Sequence, residues 1–122
     1  MQTVGDFRVI HSDVIHLEAG DSISLTFDLP KNVYIDDAQP QSYVLFDYYV
    51  SKAQRLIFHM AINDHKIDSF TGLEGTHLNH NMELIDSNWL KPGRNNLNFE
   101  IEQGEGKLHI YEAVLNFHAV IK

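Results

Sequence analysis

The chain has 122 residues, a formal net charge of -8 and no cysteine. Its 43% hydrophobic and 21% charged residues are the composition of a globular protein, and the length suits a single domain spanning residues 1–122. Disulfides, thiolate metal sites and cysteine nucleophiles are excluded, an acidic chain argues against nucleic acid, and no apolar run approaches the roughly 20 residues of a membrane span, so neither a nucleic-acid nor a membrane partner is expected.

The N-terminal stretch MQTVGDFRVIHSD lacks a basic segment followed by an apolar one. It carries no secretory signal, and a cytoplasmic or non-classically exported protein is the expectation. FRVIHSDVIHLE then reads as one interrupted strand or two short ones. In SISLTFDLP, strict alternation puts Ile23, Leu25, Phe27 and Leu29 on one side. YVLFDYYVS sets Val44, Phe46, Tyr48 and Val50 against Tyr43, Leu45, Asp47 and Tyr49, and RLIFHMAIN sets Leu56, Phe58, Met60 and Ile62 against Ile57, His59 and Ala61. Asn63-Asp64 supplies a turn, and FTGLEGTHLNHN reads as a loop longer than a hairpin needs. Asp86 or Ser87 caps at most one helical turn through NWL. In KPGR, Pro92 presets φ and Gly93 tolerates a positive φ, the chemistry of a type II turn. Leu97, Phe99 and Ile101 then alternate with Asn96, Asn98, Glu100 and Glu102. KLHIYEAVLNFHAVIK closes the chain with Leu108 and Ile110, then Leu115, Phe117, Ala119 and Ile121, across a bulge expected near Ala113. About eight short strands punctuated by turns predict an all-β, antiparallel β-sandwich.

The run from ELIDSNWLKPGRNNLNFEI through GEGKLHIYEAVLNFHAVI resembles the C-terminal half of galactose-binding-domain-like jelly rolls, the superfamily that includes many carbohydrate-binding modules. Members carry an LKPGxNxL-type turn, a strand, a Gly-rich hairpin and a final strand. FHMAINDHKI is similar to another of their strands, with Asn63-Asp64 at the position of an Asn-Gly turn. The resemblance covers roughly residues 43–122 and implies a jelly roll; its motif builds a turn, so it speaks to fold before function.

Strand parity sorts the loops. Residues 18–21, 51–54, 70–81 and 103–106 fall at one end, and residues 30–42, 63–64 and 86–94 at the other. The first end collects Lys52, Gln54, His77, Asn79, His80 and Gln103, alternating donors and acceptors suited to sugar hydroxyls, and these are the candidate ligand-binding residues. A second candidate is an outer sheet face carrying Tyr43, Tyr49, His59, Tyr111 and His118. Aromatic rings beside polar side chains suit a pyranose ring, while an ordinary cross-strand ladder or an oligomer interface explains the same composition and is favoured.

His77 and His80 form an H-x-x-H pair that matches no strong metal signature, so neither a metal nor another cofactor is expected. Asp47, His59 and His118 are the nearest approach to a catalytic group. No nucleophile elbow, P-loop or Rossmann motif is present, which favours a non-enzyme. The expected function is a non-catalytic recognition module that binds carbohydrate. The alternative is a structural or protein-interaction subunit that forms a homo-oligomer or takes a protein partner through its aromatic sheet face. Histidines near the acidic loops are expected to be held protonated, with stability lost as pH rises.

Overall fold

A computed structural model describes residues 2–36, 42–51, 55–72 and 78–121. Nine strands are described: β1 (Gln2–His11), β2 (Ile15–Glu18), β3 (Ser22–Leu29), β4 (Ser42–Ser51), β5 (Leu56–Ile62), β6 (His65–Gly72), β7 (Asn79–Ile85), β8 (Gly93–Gly104) and β9 (Lys107–Ile121). A single 3-10 turn, Ser87–Trp89, is the described helical element, with Asp86 at its N-cap position. The strands form two antiparallel sheets. One is five-stranded, ordered β1-β9-β4-β7 with β2 also paired to β9; the other is four-stranded, ordered β3-β8-β5-β6.

The alternating residues do what their period requires. Val44, Phe46 and Val50 of β4, Leu56, Phe58, Met60 and Ile62 of β5, Leu97 and Phe99 of β8, and Leu108, Ile110, Leu115 and Phe117 of β9 meet in one core between the sheets. Phe46 is its aromatic centre, with edge-to-face contacts to Phe58 at 6.5 Å, Phe70 at 5.5 Å and Phe99 at 5.6 Å between ring centroids. The bulge in β9 falls where expected: Phe46 pairs with Ala113 but Tyr48 pairs with Ile110, so β9 carries one extra residue across Tyr111 and Glu112. That residue restores inward parity for Ala113 and Leu115. Ile121, expected inside, is 43% exposed at the strand's end.

Both turns behave as their residues dictate. Gly93 has φ +84, the positive value its place after Pro92 requires. Asn63 and Asp64 both have positive φ, 47 and 68, the pair of values that makes a two-residue type I′ hairpin between Ile62 and His65.

Two stretches depart from the sequence reading. The long loop over residues 70–81 is shorter than expected, because β6 runs to Gly72 and β7 starts at Asn79. This accounts for the ninth strand. Gly72, read as a turn residue, serves close packing instead: a Cβ there would run into the Val50 side chain and lie 3.6 Å from Tyr48. Gly72→Ala is therefore expected to cost about 1–2 kcal/mol as an overpacked core position, measured by urea unfolding.

Register places the hairpin ends. Glu18 pairs with Lys107 and Lys107 with Ser51, while Gly104 pairs with Leu56 and Leu56 with Gly72. The last residues of β2, β4, β6 and β8 and the first residues of β5 and β9 thus lie at one end of the sandwich.

Candidate functional site

The two outer faces differ in chemistry. On the four-stranded sheet, His59 Nδ1 meets Glu102 Oε1 at 2.8 Å, Lys66 Nζ donates to the same oxygen at 3.2 Å, and Ser69 Oγ donates to it at 2.9 Å. The Ser69 and Lys66 hydrogen bonds hold the Glu102 carboxyl below the usual carboxylate range. This is a solvated polar cross-strand ladder centred on Glu102.

The five-stranded sheet presents aromatic and apolar side chains instead. Val9, Val114, Leu45 and Met82 form one row across β1, β9, β4 and β7; Phe7, Asn116, Tyr43 and Leu84 form the next. Phe7 is 60% exposed, Met82 58% and Leu84 57%. One step further, Gly5 faces His118. A cleft of about 260 Å³ opens here, lined by Gly5, Phe7, Tyr43, Asn116 and His118. Asn116 Nδ2 and His118 Nδ1 are buried at this place without a hydrogen-bond partner. Such orphaned polar atoms cost about 1–3 kcal/mol each until something pairs with them. Gly5, opposite His118, adds no side chain to the floor.

Towards the other end of the same face lies a second cleft of about 380 Å³, lined by Leu45, Asp47, His80, Met82, Glu112 and Val114. His80 Nδ1 and Asp47 Oδ1 are 2.6 Å apart at its edge. Beyond it, Tyr49 stacks between two rings, 4.2 Å and 17° from His109 and 5.8 Å and 28° from Tyr111. The β9 bulge sets Tyr111 beside Tyr49. Hydrogen bonding to Tyr49, then burial, pushes the Tyr111 hydroxyl pKa up.

Of the predicted sheet-face residues, Tyr43, Tyr49, Tyr111 and His118 therefore share one face. His59 does not. It lies on β5, on the outer side of the opposite sheet, so it meets neither Asp47 nor His118. Ile57 is placed with it. Parity within one strand cannot say which sheet that strand joins. Of the predicted loop residues, Lys52, Gln54 and His77 lie outside the described residues. His80 joins the aromatic face. Asn79 is exposed at the start of β7 and donates from Nδ2 to the Tyr48 carbonyl at 3.4 Å. Gln103 is exposed near the end of β8, across from Ile57 on the other sheet. Among the described residues no three His, Asp or Glu side chains converge as a metal site.

Neither a protein-family model nor a curated protein sequence matches the chain. Solved structures do. Dimeric latent PorU from Porphyromonas gingivalis matches with a TM-score of 0.69 and 10% identity, over 98% of this chain and 13% of that one. A β-porphyranase of glycoside hydrolase family 86 from Bacteroides plebeius matches with a TM-score of 0.68 and 14% identity, over 98% of this chain and 21% of that one. A family 35 carbohydrate-binding module from Clostridium thermocellum matches nearly end to end, over 93% of this chain and 90% of that one, with a TM-score of 0.56 and 8% identity. The fold is a jelly-roll β-sandwich, shared with these structures. At these identities the likeness is one of fold, and the chain spans only a small part of the first two proteins.

Within this jelly roll, the residues that sequence reading missed are Phe7, Val9, Met82, Leu84 and His16. The alternation of Phe7 and Val9 was legible, but its side was not. Met82 and Leu84 mislead outright, since an apolar alternation ordinarily faces the core. Here Asn81 and Glu83 point inward, Asn81 hydrogen-bonds the buried Tyr48 hydroxyl, and the apolar pair turns to the surface.

The pH expectation reverses at His109. Burial, then the facing His16 and Lys107, lowers its pKa from the ordinary 6.5. The unfolded chain therefore binds the proton more readily than the folded one. The contribution to stability is full above about pH 6.5 and is lost as pH falls through the folded value. Urea unfolding between about pH 5 and 7 is expected to show stability rising with pH, and His109→Gln to flatten that slope. A slope of the opposite sign contradicts the assignment.

Proposed function

We propose that the chain is a recognition module whose outer five-stranded face binds carbohydrate. The observation that carries this reading is the cleft beside Phe7 and Tyr43, where Asn116 Nδ2 and His118 Nδ1 lack partners. A pyranose offers an apolar face for the rings and hydroxyls for the two nitrogens. Further along β4, the second cleft and the Tyr49–Tyr111 stack extend the same chemistry, so the face suits several sugar units of one chain rather than a single unit. The fold shared with a family 35 carbohydrate-binding module supports the reading. Single sites of this kind bind weakly, and linked copies gain by avidity. Asn79 and His80, with Lys52, Gln54 and His77, are proposed as further contacts; Gln103 faces out from the opposite sheet and is not among them.

The test is a glycan array of neutral and acidic oligosaccharides, followed by titration of any hit against the folded protein. Binding lost in a His77→Ala/Asn79→Ala/His80→Ala variant of unchanged melting temperature assigns the loop end. Binding retained there and lost on Phe7 or Asn116 substitution assigns the Tyr43 cleft. Silence on every glycan, with the protein folded, refutes the carbohydrate reading.

A second reading has its own observation. The rows Val9–Val114–Leu45–Met82 and Phe7–Asn116–Tyr43–Leu84 put large exposed apolar side chains side by side across four strands. Contiguous patches of this kind are commonly covered in an assembly. A second copy, or a basic protein drawn to a chain of charge -8, fits it. Light scattering across a concentration series reads this directly, and a strict monomer at high concentration removes the self-association version.

A further inference from the structure

We propose that Ser51, His109 and His16 form an acyl-transfer relay in which Ser51 Oγ is the nucleophile towards small acyl esters. Ser51 Oγ lies 2.7 Å from His109 Nε2, and His109 Nδ1 lies 2.5 Å from His16 Nδ1. A hydroxyl, a base and a third group on the far side of that base are thus in line, the arrangement nucleophilic catalysis requires. The sheet builds it. His16 and His109 are direct cross-strand partners on β2 and β9, and Ser51 faces Lys107 on β4 and β9.

The proton positions follow from these distances. Between the two Nδ1 atoms there is room for one proton. When His109 Nδ1 carries it and donates to His16, His109 Nε2 presents a lone pair that accepts the Ser51 hydroxyl proton. The groups around His109 are Tyr49, stacked on its ring, His16 across the strand, and Lys107, which is paired with Glu18 at 3.4 Å. Burial, then the Coulombic effect of His16 and Lys107, disfavours a charged His109, which favours the neutral form able to act as a base.

The step balances with water as the only co-reactant. Ser51 Oγ bonds to the acyl carbon as its proton passes to His109 Nε2. The ester C–O bond breaks, and the same proton goes to the departing alkoxide to give the alcohol. A water then loses its proton to His109 and attacks the acyl-Ser51, releasing the carboxylic acid and returning the proton to Ser51. His109 is the catalytic base, and His16 is a positioning residue acting through it.

The probe is p-nitrophenyl acetate with the whole chain. Expected are release of nitrophenolate and a single acetyl group, mapped by peptide mass to Ser51. Ser51→Ala should abolish both, while Ser69→Ala on the opposite sheet keeps them. His109→Gln should slow acylation by about 10²-fold or more. His16→Ala relieves the lowering that His16 imposes on His109, so the acid limb of the pH–rate profile should move to higher pH; His16→Asn, which can still accept from Nδ1, should recover part of the rate. Melting curves separate misfolding from loss of chemistry, and if His109→Gln unfolds, Ser51→Cys replaces it as the test, with faster acylation expected at the same position. Acetylation confined to lysines, equal labelling of Ser51→Ala, or an unmoved acid limb in His16→Ala overturns the relay. No arm uses a glycan, so the outcome is independent of carbohydrate binding.

Discussion

Replacing Asn95 with Ala is expected to lower the unfolding free energy by about 3–4 kcal/mol, the largest stability loss from a polar substitution in this protein. Asn95 is fully buried at the start of β8. Its Oδ1 accepts from the Lys91 amide at 3.1 Å and from Asn63 Nδ2 at 2.7 Å. Its Nδ2 donates to the Lys91 carbonyl at 2.8 Å and the Gly93 carbonyl at 3.0 Å. Asn63 in turn donates to the Trp89 carbonyl at 2.8 Å and accepts from the Asn96 amide at 2.9 Å. Two asparagines thus pin the Pro-Gly turn to the β5–β6 hairpin. Alanine at 95 leaves several backbone groups and Asn63 Nδ2 short of partners, and each orphan costs about 1–3 kcal/mol where water cannot reach it. Urea unfolding reads the loss directly. Asn96→Ala, on the outer face of the same strand, should stay within about 1 kcal/mol. A difference below about 1 kcal/mol between the two variants contradicts the network.

Phe7→Ala combined with Asn116→Ala is expected to weaken glycan binding by about 10- to 100-fold, the size of losing one stacked ring and one directed hydrogen bond at a contact centre. Stability should move little. Phe7 is 60% exposed, so its truncation uncovers little core. Removing Asn116 also removes a buried nitrogen that lacks a partner, which offsets part of any packing loss. Titration calorimetry on the array hit, with thermal melts of the same samples, separates the outcomes. Full binding by the folded double variant moves the site away from this cleft.

Much of the fold was legible because short-range chemistry decided it. Period-2 patterns in β3, β4, β5, β8 and β9 select one side of each strand for burial, and the core contains those residues. Pro92-Gly93 and Asn63-Asp64 select their turns through φ alone, which is a property of two residues and needs no context. The extra residue near Ala113 was legible for the same reason, since parity breaks there within one strand. The hydrogen bonds of Asn95 were legible only as a type, asparagines serving turn backbone; their partner Asn63 lies 32 residues away.

The site was legible in its composition and not in its arrangement. Tyr43, Tyr49, Tyr111 and His118 share one outer face, yet His59, which alternation groups with them, belongs to the opposite sheet, because alternation is blind to which sheet a strand enters. Met82 and Leu84 face outward against their pattern, since β7 is an edge strand whose inward Asn81 finds the Tyr48 hydroxyl. The meeting of His16 with His109 and Ser51 depends on residues 93 and 58 positions apart. What the sequence determined by itself was the local: side of strand, type of turn, acidity and the absence of thiols. What only the tertiary structure decided was the non-local, strand order and cross-strand register, because these are settled by the joint burial of two sheets and no single segment carries that information.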